Sequence, residues 1–191
     1  DPLADGATIQ EAMQIALKRG TSLSQVLDLA EEINKRFEMP LVLMGYYNPF
    51  YRYGLGNLCK EAKERGVDGL IIPDLPPEEG VELIENAKKH DLRTIFLLAP
   101  TSDEERYGVV GKATTGFIYY VSVKGTTGER KELPRDIEDK VKKIKEVTGK
   151  PVAVGFGISK PSHIRWLRNF ADGAIIGSAL LRLLREHKED K

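Results

Sequence analysis

The sequence is poor in several things, and each absence narrows what the chain can be. It holds a single cysteine, Cys59, among 191 residues. No intrachain disulfide can form, which suits a reducing compartment and gives a cytoplasmic location as the expectation. It has no excess charge of either sign, because 29 Lys and Arg residues cancel 29 Asp and Glu residues. A zero balance supplies no long-range attraction to nucleic acid or to an anionic membrane, though it leaves room for a local phosphate site. No apolar run approaches the roughly 20 residues of a membrane-crossing helix, and no signal peptide is visible. No His, Cys and Asp spacing points to a metal centre, no Ser, His and Asp grouping to a hydrolase triad, and no strand lysine to a Schiff base. The three histidines, His90, His163 and His187, fall near expected helix ends, where a solvated or dipole-facing role is the ordinary one. Cys59 falls on an apolar helix position and reads as packing.

What is present is enough for one globular domain with a core: 41% of residues are hydrophobic and 30% charged. Short continuous apolar runs at Leu41–Met44, Gly69–Ile72, Thr94–Leu98, Phe117–Val121, Val152–Phe156 and Ala174–Ile176 read as parallel strands buried on both faces. Amphipathic helices alternate with them, over Thr8–Arg19, Leu23–Phe37, Asn57–Arg65, Pro77–His90, Asp103–Lys112, Pro134–Thr148, Pro161–Phe170 and Ser178–His187. Their ends carry start and stop signals. Ser22 with Gln25 and Ser102 with Glu105 have the spacing of capping boxes. Pro77, Pro134 and Pro161 suit a first helical turn, and Gly20, Gly66 and Gly149 suit left-handed helix ends. No repeat, low-complexity tract or linker interrupts the pattern.

Six strand–helix units in series predict an α/β fold, either a doubly wound sheet or part of an eightfold β/α barrel. A doubly wound dinucleotide domain wants Gly-x-Gly-x-x-Gly after its first strand, and here that strand runs into Met44-Gly45-Tyr46-Tyr47. The barrel reading directs attention to the strand C-terminal ends. In order these are Tyr46, Tyr47 and Asn48; Pro73-Asp74-Leu75-Pro76; Ala99-Pro100-Thr101; Ser122 with Gly125-Thr126-Thr127-Gly128; Gly155-Phe156-Gly157-Ile158-Ser159; and Gly177-Ser178.

The last three of these ends form a constellation. Glycines let backbone N–H groups approach an anion, and Gly177-Ser178 opens a helix whose dipole attracts one. Gly157 and Ser178 read as donors to a substrate phosphate, with Thr127 and Gly128 closing the far side. The plainer alternative is that each glycine serves only its turn and Ser178 only its helix. Asp74 either faces the barrel mouth toward substrate or accepts locally within its turn. Tyr119 and Tyr120 must face opposite sides of their strand, so only one can meet a ligand.

At the start of the sequence, Asp1-Pro2-Leu3-Ala4-Asp5-Gly6 sets two carboxylates around a Pro and a Gly, with a helical pattern following. It reads as a rigid active-site loop with no strand before it. A barrel runs to about 250 residues, so the expectation is a single barrel domain over 1–191 supplying strands 3–8, its first two strands lying upstream. A fragment, or one complemented by another copy or peptide, is the alternative.

These motifs together resemble the tryptophan synthase alpha subunit family. The resemblance rests on Asp1-Pro2-Leu3-Ala4-Asp5-Gly6 with Thr8-Ile9-Gln10, Met44 to Pro49, Pro73 to Pro76, Leu98 to Thr101, Gly125 to Gly128, Gly155 to Ile158 and Gly177-Ser178-Ala179. It implies a TIM-type (β/α)8 barrel that cleaves indole-3-glycerol phosphate to indole and glyceraldehyde 3-phosphate. It implies no cofactor in this chain, and a beta subunit partner that carries pyridoxal phosphate within an alpha2beta2 heterotetramer. It makes Asp5 the catalytic aspartate at the indole N–H. Tyr119 and Phe156 become pocket residues, Thr127, Gly128, Gly157, Gly177 and Ser178 phosphate-binding positions, and Asp1, Pro2 and Asp74 partner-facing ones. The family's second acid/base, a glutamate, belongs upstream of the Asp5 loop, so the 191 residues alone are expected to be inactive. Ala7 replaces the family's usual proline, Thr126 a frequent valine, and the last helix is short. Another phosphosugar barrel enzyme, or a non-catalytic partner-binding fragment, are the competing readings.

Overall fold

The computed structural model describes residues 5–121, 136–155 and 157–187. The chain divides into two compact units, one of Asp1–Arg19, Leu97–Gly111 and Ile118–Lys191, the other of Gly20–Phe96 and Lys112–Phe117.

The second unit is a parallel sheet of β1 (Val42–Met44), β2 (Gly69–Ile71) and β3 (Arg93–Ile95) in that order, with α2 (Leu23–Arg36), α3 (Tyr47–Tyr53), α4 (Leu55–Glu64) and α5 (Val81–Lys89). Its core follows from helical spacing. In α4 the residues Leu55, Leu58, Cys59 and Ala62 recur at i, i+3, i+4 and i+7, and all four are buried. They meet Leu27 and Ala30 of α2, Leu83 and Ala87 of α5, and Leu70 of β2. The Ser22 capping box forms as expected. Gly20 and Gly66 take φ of +78° and +81°.

The first unit has the parallel order β4 (Leu97–Leu98), β5 (Ile118–Val121), β6 (Val152–Gly155), β7 (Gly173–Ala174), with α1 (Ala7–Lys18), α6 (Glu104–Ala113), α7 (Ile137–Thr148), α8 (Pro161–Leu167) and α9 (Ser178–Glu186). Helix α7 buries Ile137, Val141 and Ile144 on one stripe. Asp172 ties the start of β6 to α7, accepting the Val152 N–H at 2.9 Å and pairing with Lys145 at 2.9 Å. Pro161 occupies the first turn of α8, and Gly149 ends α7 in the left-handed region.

Several expectations need correction. The run Thr94–Leu98 is two strands, because residues 93–95 pair with β2 while 97–98 pair with β5. Helix α3 was not expected; it is one short segment with Pro49 in its first turn, where a missing N–H costs nothing. Pro77 does not open α5: Glu79 and Gly80 close turns onto Pro76 and Pro77, and the helix starts at Val81. Helix α6 is capped by Asp103, which accepts the Arg106 N–H at 2.9 Å, whereas the Ser102 hydroxyl accepts from Ala99 N–H at 3.1 Å. Pro134 lies outside the described residues. Strand β1 is not buried on both faces, since among the described residues it pairs only with β2 and leaves Val42 and Met44 substantially exposed.

Cys59 is fully buried, and burial pushes its thiol up to about 11 from an ordinary value near 9. The folded state therefore holds this proton more tightly, so the contribution to stability is complete below about pH 9 and is lost as pH rises toward 11. Two outcomes are expected. A disulfide reagent at neutral pH should leave native Cys59 unmodified and label it rapidly once denaturant unfolds the chain. Leu58→Ala, at the centre of the α4 stripe, should cost about 2–5 kcal/mol in denaturant titration.

Candidate active site

Asp5 lies just before α1, and the segment around it is bound into the first turn of that helix. The Gly6 carbonyl accepts the Ile9 and Gln10 N–H groups at 3.1 and 3.0 Å, and the Gln10 side-chain amide donates to the Asp5 carbonyl at 2.7 Å. The residue is buried, at 9% exposure. A carboxylate there sits where the first-turn N–H groups and the helix dipole favour negative charge.

Tyr119 comes from β5, the strand beside β6. Strand alternation is realised as expected. Tyr119 turns toward Asp5, while Tyr120 turns toward Tyr107 of α6 and Asp136 before α7. Burial, and after it the Asp5 charge, pushes the Tyr119 phenol well above its ordinary range. The phenol is thus a neutral hydroxyl at any physiological pH, a hydrogen-bonding group beside an apolar ring face. A Cβ on Gly155 would lie 2.3 Å from Cε2 of the Tyr119 ring and 2.6 Å from its hydroxyl oxygen. Gly155 is therefore what lets that ring lie across the sheet. It carried no role in the sequence reading; the available signal was a glycine closing a strand diagonally opposite a tyrosine.

The glycine-rich ends lie at one edge of the same sheet. Strands β6 and β7 pair in parallel, Val154 opposite Ala174, so the residues following each emerge side by side. Gly157, after β6, is buried with φ +83°, a conformation open to glycine at no cost. Gly177 precedes α9 and Ser178 is its first residue. A Cβ at Gly177 would approach Ile9 of α1 at 3.8 Å, and Glu11 of α1 pairs with Arg185 of α9. The helix behind Asp5 and the helix opening at Ser178 thus pack on one another.

Asp74, in the other unit, is exposed and accepts the Tyr47 N–H at 2.8 Å, at the first residue of α3. This loop-orienting contact joins two strand ends. Asp1, Pro2, Thr127, Gly128 and Phe156 lie outside the described residues. His163 departs from the expectation for histidines near helix ends: it is buried, at 7% exposure. His187 is exposed at the end of α9. Among the described residues no group of three His, Cys, Asp or Glu side chains is placed to hold a metal ion, and no helix is long and apolar enough to cross a membrane.

The family described as tryptophan synthase alpha chain matches residues 1–191. A tryptophan synthase alpha chain from Aquifex aeolicus is 47% identical over 190 residues, covering 98% of this chain and 72% of that protein. One from Pyrococcus abyssi is 42% identical over 191 residues, covering 100% of this chain and 77% of that protein. Among solved structures, a chain of the tryptophan synthase a2b2 complex from Pyrococcus furiosus superposes with a TM-score of 0.90 at 43% identity. It covers 97% of this chain and 75% of its own length.

The closeness of Gly155 to Tyr119 generates a test. Gly155→Ala is expected to displace the ring and to destabilise by about 1–3 kcal/mol through overpacking, measured by denaturant midpoint, with a changed near-ultraviolet tyrosine signal. An unchanged midpoint and signal would mean that the ring is not held there.

Proposed function

The chain belongs to the tryptophan synthase alpha chain family, and from that premise we propose that its site cleaves indole-3-glycerol phosphate to indole and glyceraldehyde 3-phosphate, a lyase step of tryptophan biosynthesis. The observation that carries the reading is the buried carboxylate of Asp5 facing the neutral Tyr119 phenol.

The bond from indole C3 to the glycerol chain breaks once C3 has taken a proton, which leaves a cationic indolenine. Loss of the proton from the adjacent glycerol hydroxyl then forms the aldehyde. The electrons of the breaking bond return to the ring and neutralise the nitrogen. A fixed carboxylate at the indole N–H lowers the energy of the cation between these steps, because its charge is already oriented and desolvated when the positive charge develops. Asp5 takes that role. Tyr119 and Phe156 line the indole pocket. Gly157, Gly177 and Ser178, with Thr127 and Gly128, receive the phosphate through backbone N–H groups, and α9 adds its dipole. Proton transfer at C3 and at the hydroxyl falls to the glutamate that the family resemblance places upstream of the Asp5 loop.

The six strand–helix units make up one barrel domain in this reading, strands three to eight. The step needs no cofactor of its own. The partner is a pyridoxal-phosphate-bearing beta subunit in an alpha2beta2 assembly, met through Asp1, Pro2 and Asp74, and the pair works in the cytoplasm. The Pyrococcus furiosus relative, a chain of an a2b2 complex, supports the partner.

Asp5→Asn in the complete protein keeps the side-chain volume and removes the charge. It is expected to lower kcat by about 10²–10³-fold with little change in melting temperature, read by indole release. Undiminished turnover would refute the role.

A further inference from the structure

The structure assigns His163 as a positioning residue for the phosphate-binding turn after β6. This inference rests on the phosphate reading of Gly157 and Ser178 given above. His163 is the third residue of α8 and is buried, at 7% exposure. Its Nδ1 accepts the Ser159 N–H at 3.3 Å. Ser159 follows the left-handed Gly157 by two residues, and Ile158 between them is buried at 4% exposure. The imidazole therefore holds the turn at Ser159, two residues beyond the left-handed glycine.

The helix that carries the ring is itself firmly seated. Pro161 fixes its first turn, the His163 N–H closes onto the Lys160 carbonyl at 3.0 Å, and Leu167 is 2% exposed. A ring held by such a helix is a rigid acceptor. An imidazole accepts at Nδ1 only when that nitrogen carries no proton, so the bond selects the neutral tautomer with hydrogen on Nε2. The Ser159–His163 bond ties the turn to an interior side chain. Without it, the N–H groups after β6 lose the direction that an anion requires, although the sheet itself is untouched. The effect belongs to binding of the phosphate and not to the bond-breaking step.

The test uses the complete protein. His163→Leu fills similar volume without an acceptor. It is expected to raise KM for indole-3-glycerol phosphate, and the inhibition constant for glycerol 3-phosphate, together by about fivefold, the scale of one hydrogen bond, with kcat unchanged. His163→Asn, whose Oδ1 can accept the Ser159 N–H, is expected to restore both constants. Equal losses in the two variants, an unchanged KM, or a fall in kcat alone would overturn the assignment. If glycerol 3-phosphate fails to compete in the unmodified protein, the phosphate reading has failed and the positioning role with it. Should His163→Leu not fold, nitrogen-15 NMR of the unmodified protein decides. An Nδ1 without a proton when glycerol 3-phosphate is bound supports the role, and a protonated Nδ1 overturns it.

Discussion

The parallel pairing of β5 with β6 sets everything else in the site. Ile118 to Val121 align with Val152 to Gly155 one for one, so the pleat puts Tyr119 and Gly155 on a shared face as diagonal neighbours. A slip by one residue would exchange every face. Tyr120 would then point where Tyr119 does, and Tyr119 would meet Tyr107 and the Asp136 carboxylate instead. Register is protected by burial on both sides, since Ile118, Tyr119, Tyr120, Val152 and Val154 are all in the core. The missing Cβ at Gly155 is the other half of the constraint, because a correctly registered strand with any larger residue there could not lodge the ring.

Asp5 reaches this face without belonging to the sheet. Its support is the first turn of α1, through the Gly6 carbonyl and the Gln10 amide, and beyond that the packing of α1 on α9. The segment that carries Asp5 and the helix that opens at Ser178 are thereby supported by one another. Asp5 and Gly157 lie on loops, and the helices and strands that fix their direction lie behind them.

Much of this was legible in the residues. Continuous apolar runs located the buried strands β2, β5 and β6, since a strand buried on both faces has no alternation to hide it. The strand C-terminal ends brought out Gly157, Gly177 and Ser178, and strand alternation singled out one of Tyr119 and Tyr120. The Ser22 box and the left-handed glycines followed local rules that tertiary context did not override. Other features needed the fold. Periodicity could not reveal α3, which has only seven residues. Ser102 and Asp103 are both good caps, and the choice between them depends on Ala99 needing a partner. The split at Phe96 reflects which neighbour each half pairs with, information that no single segment holds. Burial of His163 arises from its place on a short docked helix, and histidine has no strong preference to betray it.

The contact between α1 and α9 also carries a consequence for how the molecule comes into being. Glu11 and Arg185 are 174 positions apart, and closures over such separations are entropically late. During synthesis α1 emerges before α9, and it must wait for the residues between Glu11 and Arg185 before its seat exists. The β5–β6 face can be built from a nearer stretch of sequence. Assembly of a working site is thus scheduled for the end of folding, and a nascent or prematurely ended chain holds the tyrosine face well before the aspartate has anything to lean on.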